Sequence, residues 1–344
     1  MGTAIGNLII SKPIKIADLK GKTLAVDAFN MLYQFVTTIR QADGTPLKDS
    51  KGNITSHLIG LFSRVTKLME KDLKLVFVFD GEVSELKKKE LARRKEAKLK
   101  AQLEFDKAES ENDIEMMKKY AGRTSKLTPE MVKEAKKLLD ALGIPVVQAP
   151  SEGEAQASYM AKKGDVYAII SQDYDSLLFE APYFIKNLTL NGRKKLPNKL
   201  SYQTIEPEII SLSENLNNLG LDQDQLIVLA MLVGTDYNIG GIKGIGPKNA
   251  IKLIKENNKD FDKLFKEVKW DEFFDFPWTE VYYALKKVPT SDEYNIEWKE
   301  PDEKELIKIL VDEHDFSIDR VTNFFNSYQK AKKENSQKGL SDFF

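Results

Sequence analysis

The sequence predicts an α/β fold in which a mostly parallel central sheet is flanked by helices. Four short apolar segments are typical of strands buried on both faces, and they span residues 23–27, 75–80, 144–150 and 166–171. Segments of helix-forming composition separate them, and most connections are short. This alternation favours parallel strands, and in an open sheet of that kind ligands bind outside the carboxyl ends of the strands.

Composition restricts the chemistry that this fold could carry. None of the 344 residues is Cys, which excludes disulfides, thiolate catalysis and Cys-ligated metal sites. Only two are His, which leaves little for imidazole chemistry or a His-rich metal site. Acidic and basic residues number 53 and 52, so the net charge of −1 does not by itself indicate a nucleic-acid-binding protein. No apolar run approaches about 18 residues and the N-terminus lacks a signal-peptide pattern, so an intracellular soluble protein is expected. Carboxylates that bind hard cations remain as the main source of chemistry.

The first two predicted strands both end on an acid. Strand 23–27 ends at Asp27 and leads through a helix and a polar, turn-rich connection to a second helix at 58–71. Strand 75–80 then ends at Asp80. Because parallel strands share one carboxyl edge, these two carboxylates are expected to lie close together.

A strongly basic segment, residues 82–126, follows the second strand. The window 86–100 contains eight basic and two acidic residues, a local net charge of +6. Its few Leu residues form too thin a stripe for a helix packed fully on a core, so the segment is expected to project from the body. Lys87 and Arg94 are seven residues apart and share one helix face, whereas most of the other basic residues are typical of a solvated surface.

The stretch 149–179 carries two closely spaced pairs of acids within 24 residues. Glu152 and Glu154 open a predicted helix, and Asp173 and Asp175 follow the fourth strand. Each pair has a structural alternative, since Glu154 fits a capping box with Ser151 and Asp is common in turns after strands. Two residues spaced i, i+2 point about 200° apart in mid-helix, but at the first turn both can bend across the helix end.

The acids indicate a metal site only as a set. A seventh acid, Asp236, lies in a Gly-containing turn after a helix at 222–233. Seven carboxylates in one pocket could not all stay ionised unless cations offset them. Two Mg²⁺ ions would supply that charge, activate water and stabilise the attacking and leaving oxygens in phosphodiester cleavage. The candidate metal ligands are Asp27, Asp80, Glu152, Glu154, Asp173, Asp175 and Asp236.

A glycine-rich segment follows Asp236. Gly241 to Gly246 precede Pro247, which is suited to the first position of a helix, so backbone N–H groups at this turn could face a phosphate. A plain helix-turn-helix would have much the same sequence. Further upstream, residues 182–201 are expected to form a hairpin around 191–192.

Five sequence blocks, taken together and in order, resemble the flap endonuclease family of structure-specific 5′ nucleases. They are FDG followed by LK (79–81 and 86–87), APSEGEAQ (149–156), SQDYDSLLF (171–179), LVGTDYN (232–238) and GIKGIGPKNA (241–250). The resemblance implies a PIN-like nuclease fold with a mixed, mostly parallel sheet, a helical arch over the active site and a helix-hairpin-helix element. It also implies Mg²⁺-dependent cleavage of 5′ flaps of branched DNA in replication and repair, with associated 5′-to-3′ exonuclease activity.

The resemblance also assigns roles to residues. The seven acids occupy the family's positions for two Mg²⁺ ions, which Mn²⁺ can replace. Lys87 and Arg94 correspond to the basic pair that contacts the scissile phosphate, and Tyr33 to an aromatic residue that stacks on a base. The hairpin residues that would grip the duplex, with a K⁺ ion, are Gly241, Gly244, Gly246 and Lys248. The tail residues that match a sliding-clamp binding motif are Gln337, Leu340, Phe343 and Phe344.

This interpretation divides the chain into three parts. A nuclease core spans 1–222 and is interrupted by an arch at 82–127, a C-terminal helical part spans 223–330 with the helix-hairpin-helix at 240–254, and a flexible tail spans 331–344. An archaeal-type enzyme is expected, monomeric when free in solution, with no membrane contact. Its expected place is the nucleoid of the cytoplasm, or the nucleus if the source is eukaryotic.

Three alternative functions stay open. A 5′ exonuclease or junction nuclease of the same superfamily would share the acids, although such relatives usually carry long extensions. A phosphatase with an Asp nucleophile needs Asp-x-Asp after its first strand, whereas Asp27 is followed by Ala28-Phe29. A non-catalytic scaffold that binds the clamp would be expected to lack some of the acids, and all seven are present.

Overall fold

The computed structural model describes Thr3 and residues 5–188, 193–195, 202–204 and 206–341. The strands are β1 (Lys12–Pro13), β2 (Thr23–Asp27), β3 (Lys74–Phe79), β4 (Val146–Gln148), β5 (Ala168–Ile170), β6 (Tyr183–Lys186), β7 (Arg193–Lys195), β8 (Tyr202–Thr204) and β9 (Glu208–Ser211).

Helices connect and flank these strands. They are α1 (Ala28–Thr38), α2 (Ser56–Met69), α3 (Lys88–Ser110), α4 (Ile114–Ala121), α5 (Pro129–Ala141), α6 (Gly153–Lys163), α7 (Asp175–Leu178), α8 (Leu212–Leu219), α9 (Gln223–Val233), α10 (Pro247–Asn257), α11 (Phe261–Glu267), α12 (Trp278–Lys286), α13 (Glu303–Ile307) and α14 (Ile318–Ser341). Within the described ranges, no helix is long and apolar enough to cross a membrane.

Among the described residues, seven strands form one sheet in the order β1-β9-β6-β5-β2-β3-β4. Strands β6, β5, β2, β3 and β4 run parallel, and β9 and β1 add an antiparallel edge. The mixed, mostly parallel sheet that was predicted is therefore confirmed. Strand β2 is the middle one of the five parallel strands and lies between β5 and β3, so the carboxyl ends of these three strands lie side by side.

Both faces of the sheet are covered, as the continuous apolar strands predict. Ala25 and Val76 contribute to a core on one face, together with buried residues of α6, α9 and α10. Leu24, Val26 and Phe77 contribute to a second core on the other face, with α1, α2, α5 and α14. Alternate residues of one strand thus enter different cores because side chains alternate across a sheet.

The basic segment forms α3 and α4, which pack on each other apart from the sheet. Phe105, Ala108, Met117 and Ala121 make a small core of their own between the two helices. The Leu residues of α3 stay outside that core, and Leu103 is 70% exposed. The thin apolar stripe was therefore a sound indication of a helix that is not packed fully on the main core, but the small core at its tip was not predicted.

Residues 191–192, which the sequence predicts as the turn of a hairpin, lie outside the described residues. The described strands β7 and β8 pair antiparallel. The boundary expected at residue 331 falls within α14, which continues to Ser341.

Candidate active site

The carboxyl ends of three adjacent strands carry Asp27, Asp80 and Asp173. Asp27 is the last residue of β2, Asp80 directly follows β3, and Asp173 comes shortly after β5. Asn30 connects two of them, because its backbone N–H donates to Oδ1 of Asp27 at 3.0 Å and its Nδ2 donates to Oδ2 of Asp173 at 3.0 Å. These acids meet at the edge of the sheet where the strand pattern predicts them, and Asp27 also caps α1.

Helix α6 presents Glu152 and Glu154 at its N-terminus. Glu152 occupies the cap position, and the helix begins at Gly153. The N–H of Gly153 donates to Oδ1 of Asp80 at 2.6 Å. Glycine allows this close approach, because a Cβ at position 153 would lie 2.8 Å from that oxygen and would push the Asp80 side chain away.

The capping-box alternative for Glu154 is wrong. The helix starts one residue later than that motif requires, and Ser151 Oγ donates instead to the carbonyl oxygen of Glu82 at 3.1 Å. Oε1 of Glu154 accepts a hydrogen bond from the N–H of Ser176 at 3.1 Å and a short one from Ser176 Oγ. Glu154 is therefore held from α7 and does not cap its own helix.

The N-terminal segment holds another of the acids. Both the backbone N–H and the hydroxyl of Thr3 donate to Oδ1 of Asp175, at 2.9 and 2.6 Å. Thr3 is buried although it lies near the chain's start. Neither Thr3 nor Ser176 was expected at the site, and no local signal could have indicated Thr3, since it is 172 residues from its partner in sequence.

The acids raise one another's pKa. Burial, the negative charge of Asp80 and that of Asp173 raise the pKa of Asp27 to about 8, against two opposing backbone hydrogen bonds. Burial, followed by the charges of Asp175, Asp27 and Asp173, raises the pKa of Glu154 well above its usual range. Burial is also the first cause of the raised pKa values of Asp80, Glu152 and Asp175. A bound cation would relieve the cost of ionising this cluster.

The donor set suits a hard divalent cation, since it consists of carboxylates around one site. In the part of the chain that the structure describes, however, no group of three or more His, Asp or Glu side chains is arranged to hold a metal ion. The carboxylate oxygens are engaged instead by hydrogen bonds and by basic side chains. At Glu152 and Asp236 the partners are basic side chains, with which a bound cation would compete.

Lys87 is one of those basic partners. Its Nζ lies 2.7 Å from Oε2 of Glu152 and 4.8 Å from the centre of the Tyr237 ring. The hydroxyl of Tyr237 donates to the other oxygen, Oε1, of Glu152. Both oxygens of Glu152 are thus occupied by neighbours from the base of the arch and from the turn after α9.

Arg94 is the second basic partner. Its Nη2 donates to both oxygens of Asp236, at 2.7 and 2.8 Å, and its Nε donates to Oε1 of Glu90 at 2.7 Å. Arg93, which the sequence did not place, donates to the same Glu90. Glu90 was not identified from the sequence, because in a helix rich in charge it looks like one solvated acid among many.

All seven acids line a single cavity of about 1700 Å³ between the sheet edge and the arch. Lys87, Arg94 and Tyr33 line the same cavity. The hydroxyl of Tyr33 donates to the carbonyl oxygen of Ser125 at 2.8 Å, and Nζ of Lys98 lies 4.4 Å from the centre of its ring. Tyr33 is a half-buried residue of α1, and it contacts Lys98 of α3 and Ser125 near the end of the arch segment.

The glycine-rich turn lies between α9 and α10, away from the cavity's lining. Gly241 has φ of +59°, and a Cβ there would lie 2.4 Å from the carbonyl oxygen of Leu232, so this position requires glycine. Gly246 caps α10 and Pro247 is its first residue, as predicted. Gly244, Gly246 and Lys248 are exposed on this surface.

The four tail residues lie beyond the reach of this description. Phe343 and Phe344 are outside the described residues, and of Gln337 and Leu340 only the helical backbone within α14 is described.

Comparison with known proteins gives consistent relatives along the whole chain. The sequence matches the models of the XPG N-terminal domain at residues 5–101 and the XPG I-region at residues 143–236. It is 50% identical over 348 residues to Flap endonuclease 1 of Pyrococcus abyssi, with 100% of this chain and 98% of that protein covered. Flap endonuclease 1 of Pyrococcus furiosus is also 50% identical, with 100% and 99% covered.

Solved structures agree with the sequence comparison. The flap endonuclease-1 from Methanococcus jannaschii has a TM-score of 0.75 and 43% identity, covering 97% of this chain and 100% of that chain. The catalytic core of Rad2 in complex with DNA substrate has a TM-score of 0.67 and 28% identity, covering 92% and 96%.

Proposed function

Because the chain belongs to the flap endonuclease family and is a structure-specific 5′ nuclease, we propose that it cleaves flaps at the junction between single strand and duplex DNA with two Mg²⁺ ions held by its seven acids. The observation that supports this site most strongly is that one cavity, bordered by the arch, is lined by all seven acids and by Lys87, Arg94 and Tyr33. Mn²⁺ is expected to replace Mg²⁺ there.

Two Mg²⁺ ions, when bound, supply positive charge that activates water and stabilises the attacking and leaving oxygens of the phosphodiester. The ligands would be Asp27, Asp80, Glu152, Glu154, Asp173, Asp175 and Asp236. Hydrogen bonds from Asn30 orient Asp27 and Asp173, and those from Thr3 and Ser176 orient Asp175 and Glu154. Oriented carboxylates spend less energy on reorganisation when they bind a cation.

Lys87 and Arg94 would bind the scissile phosphate. Both already extend from the base of the arch to acids of the cavity, so a phosphate that enters beside those acids lies within their reach. Arg94 suits this role because its planar guanidinium can donate to two phosphate oxygens at once. Tyr33, on the wall of the same cavity, would stack on a base next to the cleaved bond.

Duplex DNA would be held on the turn between α9 and α10. The exposed residues Gly244, Gly246 and Lys248 would contact the phosphate backbone, with a K⁺ ion bound by carbonyl oxygens of the turn. Gly241, which was also expected to contact DNA, is buried and donates its N–H to Asn238, so its role would be to shape the turn. Contacts of this type recognise the shape and charge of the duplex and carry no base sequence. Cleavage is therefore expected to depend on the branch and little on the base sequence.

Further properties follow from the family. We expect associated 5′-to-3′ exonuclease activity. The protein is expected to be a monomer in solution and to associate with the nucleoid in the cytoplasm of an archaeal cell. Gln337, Leu340, Phe343 and Phe344 would bind a sliding clamp, since apolar side chains spaced i, i+3 and i+4 can fill a hydrophobic groove.

Labelled DNA substrates test the proposal. Flap, nicked and blunt duplexes of the same sequence are incubated with the protein, with Mg²⁺ or with EDTA, and the product ends are mapped. The proposal predicts cleavage at the flap junction that leaves a 5′-phosphate and requires Mg²⁺. Preferred cutting of the blunt duplex from its end would favour the 5′ exonuclease alternative.

A further inference from the structure

Glu90 is a buried acid on a helix whose surface is otherwise largely exposed. It retains 3% exposure, although it belongs to the charged helix α3 and its neighbour Leu91 is 43% exposed. A carboxylate that leaves water is stable only when hydrogen-bond donors or charges replace the solvent. Glu90 is therefore held by its partners, and those partners indicate its role.

Its partners are two guanidinium groups. Oε1 of Glu90 accepts from Nε of Arg94 at 2.7 Å and from Nη2 of Arg93 at 2.7 Å, and Oε2 accepts from Nε of Arg93 at 2.7 Å. These three bonds join charged donors to a charged acceptor, which makes them stronger than bonds between neutral groups. Both arginines are thereby held by one carboxylate one turn earlier on the same helix.

The contact with Arg94 sets the direction of that side chain. With Nε bound to Glu90, the guanidinium extends Nη2 across to Oδ1 and Oδ2 of Asp236, at 2.7 and 2.8 Å. Asp236 is one of the seven acids, so a cation that binds it would weaken its bond with Arg94. Glu90 lines the same cavity but is not one of the seven acids, so a cation held by those acids does not compete directly for its bond with Arg94.

We propose that Glu90 is a positioning residue for cleavage: it holds the guanidinium of Arg94 at the cavity while Asp236 changes partners. This inference rests on the proposed function, in which Arg94 binds the scissile phosphate. A free Arg side chain samples many rotamers, and ordering it only when the phosphate arrives costs conformational entropy. Glu90 orders Arg94 before the phosphate arrives. Loss of Glu90 should therefore slow the chemical step and change the affinity for DNA only weakly.

A simple helix-stabilising ion pair is the competing explanation, and α3 contains a matched example. Glu96 and Lys100 form a pair at 2.7 Å with i, i+4 spacing, and their side chains are 67% and 74% exposed. Such an exposed pair contributes little to stability, because solvent screens its charges. Glu96→Gln is therefore the control for the loss of one acid and one i, i+4 pair in the same helix.

The test compares single-turnover cleavage of a labelled flap by the full-length protein and by Glu90→Gln, Glu96→Gln, Arg94→Ala and the double variant Glu90→Gln/Arg94→Ala. Flap affinity is measured in parallel with Ca²⁺ in place of Mg²⁺. We expect Glu90→Gln to slow cleavage about 10- to 100-fold, as a misplaced reacting group does, while the Kd for the flap changes by less than about threefold. Glu96→Gln is expected to cleave at the rate of the unmodified protein.

The double variant decides whether Glu90 acts through Arg94. If it does, Glu90→Gln causes little further loss once Arg94 is absent, so the double variant cleaves within about twofold of Arg94→Ala. Equal effects of Glu90→Gln in both backgrounds, or an unchanged rate of Glu90→Gln alone, would overturn the proposal. If Glu90→Gln melts far below the unmodified protein, Glu90→Asp, which keeps the charge, undergoes the same comparison and must lose its effect without Arg94.

Failure of the proposed function would look different. The unmodified protein would then not cut the flap at all, or Arg94→Ala would cleave at its full rate. The second result also overturns the positioning role of Glu90. It shows that the error lies in the phosphate-binding role assigned to Arg94.

Discussion

Lys87 lies with its Nζ 2.7 Å from Oε2 of Glu152, so a basic side chain at the base of the arch neutralises an acid of the candidate metal site. Burial lowers the pKa of Lys87, but the charges of Glu152, Asp175 and Asp236 raise it overall, and the side chain stays charged in the cavity. A divalent cation that binds Glu152 must therefore compete with Lys87. Displacement of Lys87 from Glu152 would free the side chain that is proposed to bind the phosphate.

Removal of Lys87 is predicted to strengthen cation binding and weaken cleavage. Lys87→Met takes a positive charge from the acids, so the Kd for Mn²⁺ measured by calorimetry without DNA should fall about tenfold, or roughly 1.4 kcal/mol. Single-turnover cleavage should slow because a phosphate contact is lost. Lys88→Met is the control, since Lys88 is exposed and pairs with Glu85. Weaker Mn²⁺ binding by Lys87→Met than by the unmodified protein would show that Lys87 and the cation do not compete for Glu152.

The raised pKa of Asp27 predicts that the metal-free protein loses stability as pH rises. The pKa is about 8 in the folded state, above the usual value near 3.8, because of burial and the charges of Asp80 and Asp173. The folded state therefore binds a proton that the unfolded state has released, and this stabilisation disappears as pH rises towards and through about 8. We expect the Tm in EDTA to fall between pH 6 and pH 8.5 more for the unmodified protein than for Asp27→Asn.

Divalent cations should reverse that loss. Mg²⁺ binds ionised carboxylates, so it is expected to raise the Tm more at pH 8.5 than at pH 6. If Mg²⁺ raises the Tm of Asp27→Asn by as much as it raises that of the unmodified protein at each pH, the reversal is due to other acids of the cluster. An Asp27→Asn protein whose Tm falls with pH as steeply as that of the unmodified protein would contradict the assignment to Asp27.

Thr3 is predicted to set the cation affinity through Asp175. Thr3→Val keeps the shape and the backbone N–H donor but removes the hydroxyl that donates to Oδ1 of Asp175 at 2.6 Å. Loss of a residue that hydrogen-bonds a metal ligand typically lowers metal affinity 10- to 100-fold. Because the N–H of residue 3 still holds Asp175, we expect a loss of about tenfold. Calorimetry with Mn²⁺ measures it. Thr3→Ser, which retains the hydroxyl, should bind as the unmodified protein does.

Deletion of residues 337–344 is predicted to separate the clamp motif from the nuclease. The seven acids, Lys87 and Arg94 all lie outside this segment, so basal flap cleavage should stay unchanged. Stimulation by an archaeal sliding clamp should disappear, because the apolar side chains that fill its groove are gone. Loss of basal activity would instead assign the tail to the fold.

The sheet and its acids could be predicted from the sequence because their signals are periodic or local. Apolar strands that end at Asp27 and Asp80 suffice to place both at one edge of a parallel sheet, whatever the details of the loops. Glu154 was harder, because Ser151 and Glu154 match a capping box in sequence. The helix begins one residue later, and a hydroxyl from another element, Ser176, binds the carboxylate instead.

The supporting residues could not be predicted because their contacts are long-range or masked by composition. Thr3 reaches Asp175 across 172 residues, and nothing in the first residues indicates that contact. Glu90 lies in a segment where charge is common, and only its burial between two arginines distinguishes it from Glu96. Phe105 and Met117 form a small core only because a turn brings α3 and α4 together.

Cleavage by Asp173→Asn tests whether the acid cluster holds the metal ions that cleavage requires. This change keeps the size of the side chain and the oxygen that can accept from Asn30 Nδ2, but it removes one charge from the seven acids. On a labelled 5′ flap with Mg²⁺, the account predicts a single-turnover rate at least about 1000-fold lower, or roughly 4 kcal/mol in the barrier, with flap affinity nearly unchanged. Cleavage at the rate of the unmodified protein would contradict the assignment of these acids to the metal ions.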